Sequence, residues 1–155
     1  MIRRLSVLPF LLAATAGFTE AAAPLEVREA WVAEAPPGAR VQAAYMQLRN
    51  GGSAPLNVTA VTSPAFASVE LHRTVHEGAV ARMEKLPVLP LAPGESAVLA
   101  PGGLHLMLIE PRQRLTEGAM VPLELRLDSG AVVSVEALVR RTAVPADGHQ
   151  GHHHH

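Results

Sequence analysis

The fold is decided by the stretch Gly102-Gly103-Leu104-His105-Leu106-Met107-Leu108-Ile109. Successive side chains of a β-strand point to opposite faces, so the three leucines share one face while His105 and Met107 share the other. The two glycines before this run indicate a turn. We therefore predict a strand whose leucine face packs in the core and whose His/Met face is left free.

A second alternating segment lies upstream, at residues 67–72. Its period of two places Val69 and Leu71 inward, and it places Glu70 and His72 on the outer face or at the strand end. We expect Glu70 to be a solvated strand charge. The alternatives are that this carboxylate orients His72, two residues away, or binds a lysine of a partner.

Met83 lies in a short run after the Gly78 turn, and this run can pair back on the preceding strand as a hairpin. Taken alone, an outward His is usually solvated and a Met usually fills a gap in a core. In combination, His72, Met83, His105 and Met107 form a soft-metal set, because thioether sulfur prefers Cu(I) and imidazole accepts several borderline metals. The combination predicts a copper site.

The spacing of these residues is specific: His, ten residues, Met, twenty-one residues, then His-x-Met. The chain resembles the PCu(A)C family of periplasmic copper chaperones, whose signature is this pattern. The resemblance rests on residues 29–32, 44–52, 69–72 and 102–107 and extends over nearly all of the chain that follows the leader. It implies a cupredoxin-like β-sandwich in which the Cu(I) ligands are His72, Met83, His105 and Met107.

The resemblance also implies a partner, which is the copper centre of cytochrome c oxidase subunit II, reached directly or through a Sco-type thiol protein. The sequence has no cysteine, and this excludes a blue-copper site, which uses a Cys thiolate with two His. We predict a copper chaperone and not an enzyme. Two alternatives stay open: a copper-dependent redox enzyme, and a periplasmic β-sandwich interaction module in which the His/Met set is coincidental.

Two properties follow from the ligand types. Neutral thioethers discourage hard ions that prefer carboxylates, so we expect preference for Cu(I) over Zn(II). Imidazoles bind metal in their neutral form, so we expect affinity to fall below about pH 6.5. His76, four residues after His72, either competes for the metal or lies in a loop.

Residues 1–22 have the organisation of a secretory signal peptide. Arg3 and Arg4 precede an apolar run at 5–18, and small residues follow, with cleavage predicted near Ala21 to Ala22. The run is too short for a stable membrane anchor. The sequence therefore predicts a periplasmic protein with no stable membrane anchor after cleavage, and it offers no lipid-attachment cysteine.

The rest of the chain has a near-neutral composition. Without Arg3, Arg4 and Glu20, it carries 11 basic and 13 acidic residues. This balance lacks the excess of basic residues that is typical of nucleic-acid-binding proteins. Its length of about 130 residues fits one domain, and we place that domain at residues 23–142. Without disulfides, its stability must come from the core.

Short apolar segments between turn signals predict an all-β sandwich. The spacing does not separate a cupredoxin-like sandwich from other Greek-key sandwiches, and the family resemblance makes that choice. Residues 86–94 are too proline-rich for a central strand and predict an edge strand or a connector. The remaining predicted strands are 25–32, 41–49, 56–62, 67–72, the hairpin run 78–83, 96–99, 104–109, 121–127 and 131–139.

Residues 143–155 form a predicted flexible tail that carries five of the eight histidines. His-rich tracts commonly bind metal, so we predict a secondary Cu(II) site there, in addition to the Cu(I) site. A purification-tag remnant is the alternative. The tail histidines are His149, His152, His153, His154 and His155.

Overall fold

The computed structural model describes residues 24–78 and 80–142, and these residues form ten β-strands. The predicted all-β class is thus confirmed. The predicted leader and the His-rich tail lie outside the described residues. The strands are β1 Leu25–Ala33, β2 Val41–Asn50, β3 Leu56–Thr62, β4 Phe66–Glu77, β5 Val80–Lys85, β6 Leu89–Leu91, β7 Ser96–Leu99, β8 Leu104–Pro111, β9 Met120–Leu127 and β10 Val132–Arg140.

The strand order is β5-β4-β8-β7-β2-β1-β10-β9-β3-β6, and β8 also pairs with β2. The pairs β1–β10 and β7–β8 are parallel, and the others are antiparallel. Strands β3 and β4 are far apart in this order, yet residues 63–65 alone join them. Three residues span roughly 10 Å, so the sheet must fold over until its two ends face each other as a sandwich.

The proline-rich segment after β5 forms an edge strand, as its composition predicts. It contributes β6, a three-residue strand that pairs with β3 and is the last strand of the order. Pro90 lies in β6 opposite Asn57. Because proline lacks an N–H, an edge position costs the sheet fewer hydrogen bonds than a central one would.

The core lies between the two layers and is filled by the alternate residues of the central strands. Strand β9 shows the pattern most plainly, since every second side chain from Val121 to Leu127 is at most 2% exposed. The buried side chains of the opposite layer come mainly from β2 and β8. They include Ala44, Met46, Leu48, Leu106 and Leu108.

Among the described residues, no helix is long and apolar enough to cross a membrane.

Candidate metal site

Strands β4 and β8 bring the two predicted histidine ligands together. The antiparallel register sets His72 opposite His105 and sets Glu70 opposite Met107. Directly opposed residues of an antiparallel pair share a face, and so do residues two positions apart in one strand. Both imidazoles, Glu70 and Met107 therefore lie on one face, and that face is opposite to the one carrying Leu106.

Met83 reaches the same face from β5. The hairpin register pairs Met83 with Thr74, which is two residues beyond His72 in β4. The four predicted ligands thus lie on one face of three adjacent strands, in the order β5, β4, β8. Met83 is 58% exposed and Met107 is half-buried.

The two imidazoles are close enough to bind a single ion. Their ring centroids are 5.9 Å apart and their planes differ by 29°. Two rings that bind one ion at about 2.0–2.1 Å have centroids no more than about 6.4 Å apart. The geometry of His72 and His105 lies within that limit.

The prediction that the histidine face is free and outward is wrong about solvent exposure, because both imidazoles are buried. His72 is 9% exposed and His105 is 6% exposed, whereas Leu71, on the inward face, is only half-buried. Alternation assigns a side chain to a face and does not determine its exposure to solvent. The two rings stack across the strand pair, and Glu70 with its ion-paired Lys85 lies beside His72.

Each imidazole uses one nitrogen to bond an oxygen. Nε2 of His72 lies 2.9 Å from Oε2 of Glu70, and Nδ1 of His105 lies 3.1 Å from the carbonyl oxygen of Gly103. The second oxygen of Glu70 accepts a hydrogen bond of 2.6 Å from Nζ of Lys85. Glu70 is therefore a hydrogen-bonded group that orients His72, and the prediction of a solvated charge is wrong.

The charge of Glu70 is stabilised by these neighbours. The hydrogen bond from Lys85, and after it the one from His72, lowers the pKa of the Glu70 carboxyl below its ordinary value. The carboxylate is thus ionised at neutral pH, and it can accept hydrogen bonds but donate none.

The other nitrogen of His72 has no hydrogen-bond partner among the described residues. Its Nδ1 is buried and makes no hydrogen bond to any described residue. A buried acceptor without a donor costs about 1–3 kcal/mol of stability. A bound cation would recover this cost, so the observation fits a metal at this position.

The described residues also limit which metal fits. Within residues 24–78 and 80–142, no three His, Cys, Asp or Glu side chains form a group that could hold a metal ion. A metal bound to His72 and His105 would therefore need the thioethers of Met83 and Met107, and this donor set suits a soft ion. His76 is exposed, on the same face, opposite Ala81 near the hairpin turn.

Two groups near the site were missed by sequence reasoning. Lys85 and the carbonyl of Gly103 support the imidazoles, but nothing in their residue types indicates this. The hairpin register sets Lys85 directly opposite His72, and that register is not encoded in a short pattern. The tail histidines lie outside the described residues, and so their prediction stays untested.

Comparison with known proteins identifies relatives over most of the chain. A family model described as "Putative lipoprotein LpqE-like" matches residues 25–139. A protein of Leifsonia xyli subsp. xyli, named "Putative lipoprotein Lxx21020", is 31% identical over 128 residues, which are 82% of this chain and 76% of that protein.

Solved structures share the architecture. The apo form of DR1885 from Deinococcus radiodurans is 30% identical with a TM-score of 0.61, over 92% of this chain and 97% of that one. Its Cu(I) form is 31% identical with a TM-score of 0.62, over 76% and 78%. The copper-bound PCuAC domain from PmoF2 is 22% identical with a TM-score of 0.65, over 79% and 97%, and shows the fold alone. The predicted cupredoxin-like β-sandwich is confirmed.

Proposed function

This chain belongs to the LpqE-like family, and on that premise we propose that it is a copper chaperone. It binds one Cu(I) through His72, Met83, His105 and Met107 and passes the ion to another protein. A relative at 31% identity has been solved in a Cu(I) form. The observation that carries the proposal is the stacked pair His72 and His105 on the face that also presents two thioethers. One buried nitrogen of this pair, Nδ1 of His72, bonds no residue that the structure describes.

The ligand set accounts for the choice of Cu(I). Two neutral imidazoles and two neutral thioethers leave the ion its positive charge and offer soft sulfur donors, which Cu(I) prefers. Hard divalent ions need oxygen donors. Glu70 already has both oxygens engaged, by His72 and by Lys85. The site therefore selects against ions such as Mg²⁺ and Ca²⁺.

The position of the site on the sheet supports transfer of the ion. The imidazoles are buried, whereas Met83 is 58% exposed on β5, the first strand of the sheet order. A thioether is a neutral ligand, whereas an incoming thiolate is anionic. The thiolate can therefore displace Met83, the exposed ligand, first. Transfer then proceeds by stepwise exchange from the exposed side of the site.

The acceptor is proposed from the family resemblance. A thiolate-rich protein would take Cu(I) from a His/Met set because a thiolate is a soft ligand that also carries a negative charge. We place this exchange in the periplasm after removal of residues 1–22, with the copper centre of cytochrome c oxidase subunit II or a Sco-type thiol protein as the recipient. Residues 149–155 gather Cu(II) as a second, independent site.

A titration tests these assignments. We expect the full chain to bind one Cu(I) in competition with a chromophoric chelator under anaerobic conditions, more tightly than it binds Zn(II). Deleting residues 149–155 should remove Cu(II) uptake and leave the Cu(I) stoichiometry unchanged. The double variant His105→Ala, Met107→Ala should lose the Cu(I) site.

The matched control is His76→Ala, which removes an exposed imidazole from the same face of β4. It should retain full Cu(I) stoichiometry. Unchanged Cu(I) binding by the double variant would show that the His/Met set is coincidental and would favour a β-sandwich interaction module. Equal or tighter Zn(II) binding would contradict the proposed metal.

A further inference from the structure

The two imidazoles of the candidate site are held through opposite nitrogens. His72 is bonded through Nε2, at the tip of the ring, to the Glu70 carboxylate. His105 is bonded through Nδ1, next to the backbone, to the Gly103 carbonyl. The two residues thus lie opposite each other across β4 and β8, but a different ring nitrogen makes the hydrogen bond in each.

These bonds determine where the proton of each ring lies. A neutral imidazole has one N–H and one nitrogen with a free electron pair. A carboxylate and a backbone carbonyl accept hydrogen bonds and donate none, so the bonded nitrogen must carry the proton. The free electron pair is then on Nδ1 of His72 and on Nε2 of His105.

We infer that copper binds Nδ1 of His72 and Nε2 of His105, and that Glu70 is the positioning residue that selects the His72 nitrogen. This inference rests on the proposed function. Metal-binding histidines commonly donate their second N–H to a carboxylate or a carbonyl, which fixes tautomer and orientation. Both arrangements occur here, one on each ring.

The Glu70 carboxylate is itself fixed. Lys85 holds Oε1 at 2.6 Å while His72 engages Oε2 at 2.9 Å. The carboxylate therefore has little freedom to rotate away from the ring. Nδ1 of His72 is buried and unpartnered among the described residues, as expected for a nitrogen that is kept available for a metal.

Nitrogen NMR of the full chain tests the assignment directly. Protonated, unprotonated and metal-bound ring nitrogens have well-separated ¹⁵N shifts. In the copper-free protein we expect His72 to be the Nε2–H tautomer and His105 the Nδ1–H tautomer. Anaerobic addition of Cu(I) should then shift Nδ1 of His72 and Nε2 of His105. The opposite tautomer at either ring, rapid exchange between tautomers, or copper bound to the other nitrogen would overturn the inference.

Variants of Glu70 test its positioning role. Glu70→Ala should weaken Cu(I) binding by about 10–100-fold, the usual effect of losing such an orienting partner, and the His72 ring should lose its single tautomer. Glu70→Gln keeps an acceptor oxygen and should restore part of the affinity. The matched control is Glu84→Ala, in the same hairpin, because Glu84 pairs with Arg82 and faces away from His72. Equal effects of Glu70→Ala and Glu84→Ala would overturn the role.

The outcomes also separate this inference from the proposed function. Cu(I) bound at the site through Nε2 of His72 would contradict the nitrogen assignment and leave the chaperone proposal intact. No Cu(I) at His72 or His105 would contradict the chaperone proposal itself, whatever tautomers the copper-free protein shows.

Discussion

The hairpins β4–β5 and β9–β10 differ in what they bury. In β9, alternate side chains from Val121 to Leu127 are at most 2% exposed. In β5, each of the six residues is exposed or half-buried. Strand β9 is therefore part of the core, whereas β5 lies at an edge of the sheet order and presents its side chains to solvent.

The edge strand β5 carries an exposed candidate ligand and adds little to the stability of the fold. Strand β5 is held to β4 by the backbone ladder and by exposed ion pairs such as Arg82 with Glu77 and Glu84, and exposed pairs contribute little stability. The strand that carries Met83 is thus not one that holds the fold together, whereas β4 adds Phe66 to the core. Regions of low local stability are where binding elements are commonly found.

The largest expected effect is on stability, from a substitution in β9. Leu123 is fully buried, so Leu123→Ala should lower the free energy of unfolding by about 2–5 kcal/mol through lost burial and a residual cavity. Urea unfolding measures this change. The matched control Val80→Ala, at a 66% exposed site in β5, should change it by no more than about 0.5 kcal/mol. Similar losses for both variants would remove the contrast between the hairpins.

The next effect is on copper binding, from a substitution in β5. Met83 is exposed, so Met83→Ala should leave the free energy of unfolding within about 0.5 kcal/mol of its original value. Loss of one sulfur ligand should weaken Cu(I) binding about tenfold or more, which corresponds to about 1.4 kcal/mol. Competition titration measures the affinity, and Val80→Ala again serves as the control. An unchanged Cu(I) affinity would exclude Met83 from the ligand set.

Much of the fold is predictable from the sequence. The predicted bounds of β3 and β7 are the observed ones, because turn residues mark their ends. Strand β4 instead extends to Glu77, beyond the predicted end at His72. Its second half pairs with β5, and this tertiary pairing keeps an otherwise polar segment extended.

The candidate site is predictable in part. The spacing of His72, Met83, His105 and Met107 gives the residues, and the register places them on one face of adjacent strands. Their ligation of copper stays a prediction. The burial of His72 could not be foreseen, because the ring of His105 that stacks on it belongs to β8 and comes near only when β4 and β8 pair.

The smallest effect concerns pH and the β9–β10 turn. Asp128 is the first residue of this turn. Its carboxylate accepts a hydrogen bond of 2.6 Å from the side chain of Asn57 and one of 3.2 Å from the backbone N–H of Asn57. The Asn57 side chain, and after it the backbone N–H, lowers the pKa of Asp128 below its ordinary value. The β4–β5 turn at Gly78 instead has the exposed ion pair between Glu77 and Arg82 beside it.

The sign of the pH dependence follows from linkage. Since the folded pKa of Asp128 is lower than the unfolded pKa of about 3.9, the unfolded chain binds more protons between the two values. The contribution of this carboxylate is therefore fully present above about pH 4 and is lost as pH falls through the folded pKa. Asn57→Ala should raise the Asp128 pKa and make the fall in unfolding free energy below pH 4 shallower. Urea unfolding at a series of pH values measures that slope, and carboxyl NMR gives the pKa. The control Thr59→Ala removes a side-chain hydrogen bond from β3 to the Arg126 carbonyl and should leave the slope unchanged. Equal slopes for Asn57→Ala and the unsubstituted chain would show that Asn57 does not stabilise the Asp128 carboxylate.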